Sequence, residues 1–143
     1  MTAFESVLKS AKQWQPNPLA TELKYRDSLI AYLRQQLKEA TIEPEYRHSG
    51  TTSDIYVKKK GFFGSSEVFV ELKRNLSSKS QLDRLVGQIE SLEPKKNFII
   101  VILCGETNPT LLARLKERYG AGQYRVLVDP CLEVVVKEHA GKA

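Results

Sequence analysis

"EVFVELKRN" (residues 67–75) decides how the rest of the chain is read. With period two, Val68, Val70 and Leu72 share one side of a strand, and Phe69, Glu71 and Lys73 share the other. A run this apolar predicts a strand buried on at least one side. A carboxylate and an ammonium on a buried side need partners, because taking either charge out of water is costly.

The preceding strand offers one. In "DIYVKK" (54–59), Asp54 and Tyr56 lie opposite Ser53, Ile55 and Val57. "KKKGFFGSS" (58–66) reads as a glycine-bearing hairpin loop, and pairing the strands through it sets Asp54 beside Glu71 on one face. Two such carboxylates repel each other, and Lys73 relieves only part of that. A hard divalent cation relieves more: Mg²⁺ takes one or two protein carboxylates and fills its other positions with water and phosphate oxygens. With Lys73 holding and helping to deprotonate a water, the expected chemistry is metal-assisted phosphodiester hydrolysis.

The flanking elements follow from periodicity. Thr2 and Glu5 form a capping-box pattern before Phe4, Val7, Leu8, Ala11 and Trp14 at helical spacing. Asn17 and Pro18 read as the start of a second helix running to about Ala40, with Leu29, Leu33 and Leu37 on its buried stripe and Glu22 and Arg26 extending it. "TIEPEYR" is a short extended piece and "HSGTTS" a polar turn. "SSKSQLDRLVGQIESL" is a third helix, with Leu82, Val86 and Ile89 on one face. "NFIIVILC" reads as a strand buried on both faces. "NPTLLARLKERYG" starts on Asn-Pro and stops on glycine, giving a fourth helix. "YRVLV" and "LEVVVK" are two late strands around "DPC", and "EHAGKA" is a frayed tail. The fold class expected is therefore α/β: a sandwich around a central mixed sheet. The divisions are an N-terminal amphipathic helix at 1–15, one domain at 19–137 and a tail at 138–143.

Composition narrows the classes. At 143 residues, 41% hydrophobic and 27% charged, the chain matches an ordinary one-domain globular protein. Its net charge of +5 mildly favours a polyanionic partner. The start of the chain has no secretory pattern, and the longest apolar run is too short to span a bilayer, so a cytoplasmic protein with no membrane partner is expected. Cys104 and Cys131 read as two buried thiols in a reducing compartment; with His48 and His139 they lack any close-paired zinc spacing.

Asp54, then Glu71-Leu72-Lys73 in an apolar strand, resembles the signature of the PD-(D/E)xK phosphodiesterase superfamily, which includes restriction endonucleases and Holliday junction resolvases. The resemblance covers residues 19–104 and departs at Ser53, where the pattern has proline. It implies a restriction-endonuclease-like fold: an αβββαβ core with helices on both faces of the sheet, here with an extra helix and late strands. It implies a Mg²⁺-dependent nuclease, with Mn²⁺ able to substitute, acting on DNA and more as an endonuclease than an exonuclease. Asp54 and Glu71 are the implied metal ligands, and Lys73 the implied water-activating residue. Glu22 matches the glutamate that the family's first helix often carries toward the site. Gln88, or Gln81 one face-repeat earlier, matches a glutamine that several branches carry after the lysine.

Each of these residues also has a plainer reading. Glu71 and Lys73 can be a cross-strand ion pair, Asp54 a turn residue, Glu22 a first-turn glutamate and Gln88 a surface residue. Lys58, Lys59 and Lys60 beside Phe62 and Phe63, with Arg74 and Lys79, are candidate nucleic-acid contacts; the alternative is lysines guarding a sheet edge. His48 is a loop histidine within possible reach of the site. The rival functions are a catalytically silent nucleic-acid-binding module of the same fold and an assembly domain using the N-terminal helix. A homodimer suits a chain that cuts two strands.

Overall fold

The computed structural model describes residues 1–119, 125–126, 129–130 and 132–138. Its elements are α1 (Ala3–Gln13), α2 (Glu22–Gln36), β1 (Thr41–His48), β2 (Thr51–Gly61), β3 (Gly64–Arg74), α3 (Lys79–Ser91), β4 (Ile99–Gly105), α4 (Pro109–Tyr119), β5 (Arg125–Val126), β6 (Asp129–Pro130) and β7 (Leu132–Glu138). The chain is α/β; among the described residues there are four helices and a five-stranded mixed sheet of order β1-β2-β3-β4-β7. β1, β2 and β3 are antiparallel, while β3, β4 and β7 are parallel and so need helical crossovers.

β3 and β4 lie inside the sheet, which is why both read as apolar runs. Val68, Val70, Leu72, Ile100, Ile102 and Cys104 pack under α1 and α2. Phe69, Val101 and Leu103 pack under α3 and α4 through Leu82, Leu85, Ile89, Leu111 and Leu115. Cys104 is buried, and burial pushes its thiol up to about 12.

The capping box of α1 forms as expected, and Phe4, Val7, Ala11 and Trp14 enter the core beneath that helix. The start of α2 differs from expectation. Its N-cap is Thr21, whose Oγ1 accepts from Lys24 N at 3.1 Å, and not Asn17. The backbone of Leu19 is pinned outside the helix, its N–H on the Tyr25 hydroxyl (3.0 Å) and its carbonyl under the Arg74 guanidinium (3.0 Å). The helix also ends at Gln36, short of Ala40. Of the late strands only β7 joins the main sheet, and β5 pairs with β6 in a separate two-stranded sheet. Cys131, His139 and the tail beyond Glu138 lie outside the described residues. Among those described, no helix is long and apolar enough to cross a membrane.

Candidate functional site

The site forms where two strands part. The β2–β3 ladder ends at Ile55↔Val70; one step further along that register, Asp54 stands opposite Glu71. Before Asp54, β2 pairs with β1 alone, through Ser53↔Tyr46. The amides of Phe69 and Asn75 donate across to Phe98 (3.0 Å) and Cys104 (2.9 Å) on the β4 side. By alternation, the amides of Leu72 and Arg74 point into the gap that β2 has vacated. Buried amides do not stay unpaired. Asp54 Oδ2 accepts from Leu72 N at 2.8 Å, and Glu22 Oε1 accepts from Arg74 N at 2.9 Å. Two carboxylates therefore stand in for the missing strand.

Glu71 lies between them on the Phe69 side and is 0% exposed. Beyond Asp54, whose carboxyl and backbone amide stand against it, neither of its carboxyl oxygens has a hydrogen-bond partner. Burial, then the charge of Asp54, pushes its pKa up to about 9. Burial raises Asp54 as well, against the pull of the Leu72 amide. The pair holds a proton at neutral pH in place of one charge. Lys73 Nζ lies 3.9 Å from Glu22 Oε1.

A pocket of about 330 Å³ opens onto this arrangement, lined by Glu22, Leu23, Arg26, Glu45, Thr52, Asp54 and Leu72. Arg26 is clamped in it, with one guanidinium nitrogen 2.8 Å from Glu45 Oε1 and another 3.1 Å from Asp27 Oδ1. Glu45 sits at φ 51, where the β1–β2 ladder skips a pair directly opposite Asp54. Arg26 was readable at the site's edge as one turn after Glu22. Glu45 carries no comparable sequence signal.

The structure thus brings Asp54, Glu71, Glu22 and Lys73 to one place. It does not bring Gln88, which is exposed and about two and a half turns beyond the start of α3. Gln81, in the first turn, accepts from the amides of Ser77 (2.8 Å) and Ser78 (3.2 Å) as half of a capping box. His48 packs on Phe69, with its Nε2 3.8 Å from Glu93. Among the candidate nucleic-acid contacts, Lys58 and Lys60 are exposed. Lys59 instead donates to the Met1 carbonyl (2.9 Å) and Ser6 Oγ (3.0 Å) and ties β2 to α1. Arg74 is half-buried against Leu19, and Lys79 is exposed beside Asp83.

Among the described residues, no three His, Cys, Asp or Glu side chains are gathered as a metal cluster. The chemistry of the donors nevertheless fits a hard cation. A sealed carboxyl such as Glu71 is neutralised by a proton, here one shared with Asp54, or by a cation. Asp54, Glu71 and Glu22 are oxygen donors of the type Mg²⁺ or Mn²⁺ takes, though the three are not gathered around one point.

No protein-family model matches the chain, and no curated protein matches it. A solved structure of Pyrococcus furiosus SfsA in complex with Ca²⁺ is similar over 80% of this chain and 56% of that one, at 12% identity and a TM-score of 0.47. The chain spans little more than half the length of that protein, and a likeness at this level says nothing about what either molecule does.

Proposed function

We propose that the chain is a metal-dependent phosphodiesterase of restriction-endonuclease-like fold that hydrolyses DNA. The observation that carries this reading is Glu71, a fully sealed carboxyl set against Asp54 and against no other hydrogen-bond partner. Such a group destabilises a fold unless something neutralises it, and it is tolerated where function needs it. Asp54 and Glu71 hold the cation, and Glu22 supports it directly or through water. Mg²⁺, or Mn²⁺ in its place, supplies polarisation of the phosphoryl group and an acidified water. Lys73, drawn toward Glu22, donates to the attacking water or to a phosphate oxygen and holds it in line. Asp54 and Glu22 are themselves fixed by the Leu72 and Arg74 amides, so the donors are positioned before substrate arrives.

The test is plasmid digestion with Mg²⁺ or Mn²⁺ against an EDTA control. Asp54→Ala and Lys73→Ala should each lower nicking by at least about 100-fold, with an unchanged circular dichroism spectrum. Wild-type nicking in either variant defeats the assignment. One observation favours the silent module: Asp54 and Glu22 each already accept a backbone amide, which is a structural use. Tight DNA binding with no nicking under any divalent ion would select it.

A further inference from the structure

The β2–β3 hairpin outruns the sheet. β1 accompanies β2 only as far as Thr41↔Lys58, and β4 accompanies β3 only from Ile99↔Phe69, yet the hairpin ladder continues to Gly61↔Gly64. A two-stranded finger therefore projects about 13 Å past its neighbours. Its base is braced on α1: Lys59 holds the Met1 carbonyl and Ser6, and Ser66 Oγ accepts from Ala3 N at 2.8 Å. At its tip Phe62 and Phe63 are 95% and 97% exposed, in a T-shaped contact with ring centres 4.9 Å apart. Lysines guarding a sheet edge account for Lys58 and Lys60, but a guard has no use for two bare phenyl rings.

We infer that this finger binds unpaired bases of DNA, with Phe62 and Phe63 stacking on base faces and Lys58 and Lys60 meeting the adjoining phosphates. The inference rests on the nucleic-acid part of the reading above. Charge favours it. Lys58 and Lys60 are exposed, and Glu67, which stands opposite Lys58 and accepts from the Tyr56 hydroxyl at 2.5 Å, offsets one of the two charges and leaves the other in excess. Placement favours it too. By alternation Lys60, Lys58, Tyr56 and Asp54 share one face of β2, and the tip lies roughly 25 Å from Asp54. A chain-like polyanion can touch tip, lysines and carboxylates together, whereas a lipid surface would meet the tip alone. Duplex interiors present no base faces, so the rings select single-stranded arms, frayed ends or gaps.

The test uses fluorescence anisotropy in EDTA, so that nothing is cut. The probes are a forked duplex with single-stranded arms and a blunt duplex of the same length. The wild type should prefer the fork. The double variant Phe62→Ala/Phe63→Ala should bind the fork at least about tenfold more weakly, with little change on the blunt duplex. Phe62→Tyr/Phe63→Tyr should retain fork binding. Neither change removes buried surface, so the melting temperature should hold. Equal fork affinity of the alanine variant overturns the inference, as does a wild type that binds no DNA. Phe-dependent binding to anionic phospholipid vesicles, or a Phe-dependent dimer by sedimentation, without an effect on the fork overturns it as well. The two proposals fail separately. Phe-dependent fork binding without nicking keeps the finger and loses the nuclease, and nicking indifferent to the phenylalanines does the reverse.

Discussion

Glu71 carries its proton across a wide pH range because it is sealed from water and faces the charge of Asp54, and that makes the protein's stability depend on pH. An acid whose folded pKa, about 9, exceeds its ordinary 4.5 binds more protons folded than unfolded between those values. Its contribution is complete below about pH 4.5 and is lost as pH rises toward 9; Asp54, also raised, adds the same sign. In EDTA the melting temperature should therefore fall from pH 5 to pH 9. Glu71→Gln should flatten that decline and melt above the wild type at pH 8. Mg²⁺ should restore the wild type at the alkaline end and leave the glutamine variant unmoved. A scanning-fluorimetry series settles it, and an identical slope in both proteins would contradict the account. Asp54, Glu71 and Lys73 were legible in the sequence because a period of two leaves no freedom about sides once a hairpin is recognised. What Glu22 does was not, because the free amide of Arg74 exists only where β2 leaves β3. Gln88 was misplaced because both apolar faces of α3 turn inward, with Leu82, Ile89, Leu85 and Leu92 all buried, and Gln88 falls just outside them in solvent.

At the scale of elements, α2 shows how tertiary contacts overrule a local signal. Asn17-Pro18 is a sound helix start on its own, but the Tyr25 hydroxyl and the Arg74 guanidinium hold Leu19 out of helical conformation. Thr21 then caps the helix and sets Glu22 in its first turn, facing the open edge of β3. Thr21→Ala should cost about 1 kcal/mol in urea denaturation, whereas Asn17→Ala should change stability by less than about 0.5 kcal/mol. The reverse ranking would restore Asn17 as the cap. The strands were easier to read than the helix ends. β4 is buried at every position, as the short, β-branched apolar run of Ile99–Val101 and its continuation to Cys104 suggested.

For the whole molecule, the net charge of +5 matters only through the lysines that are free to use it. Lys58 and Lys60 are free, and Lys59 is engaged with α1. Replacing Lys58 or Lys60 by alanine should lower the slope of log affinity against log salt by about 0.7–0.9 each. Lys59→Ala should leave that slope alone and lower the melting temperature; titrations at three salt concentrations distinguish the cases. The architecture has a further use. Cys104 sits near the end of β4, an interior strand between β3 and β7, so its sulfur meets an alkylating reagent only when β4 and the layer packed over it come apart. With Cys131 replaced by serine, the rate at which iodoacetamide marks the folded chain becomes a clock for that opening, running without denaturant and slowed by whatever ligand the protein prefers to keep.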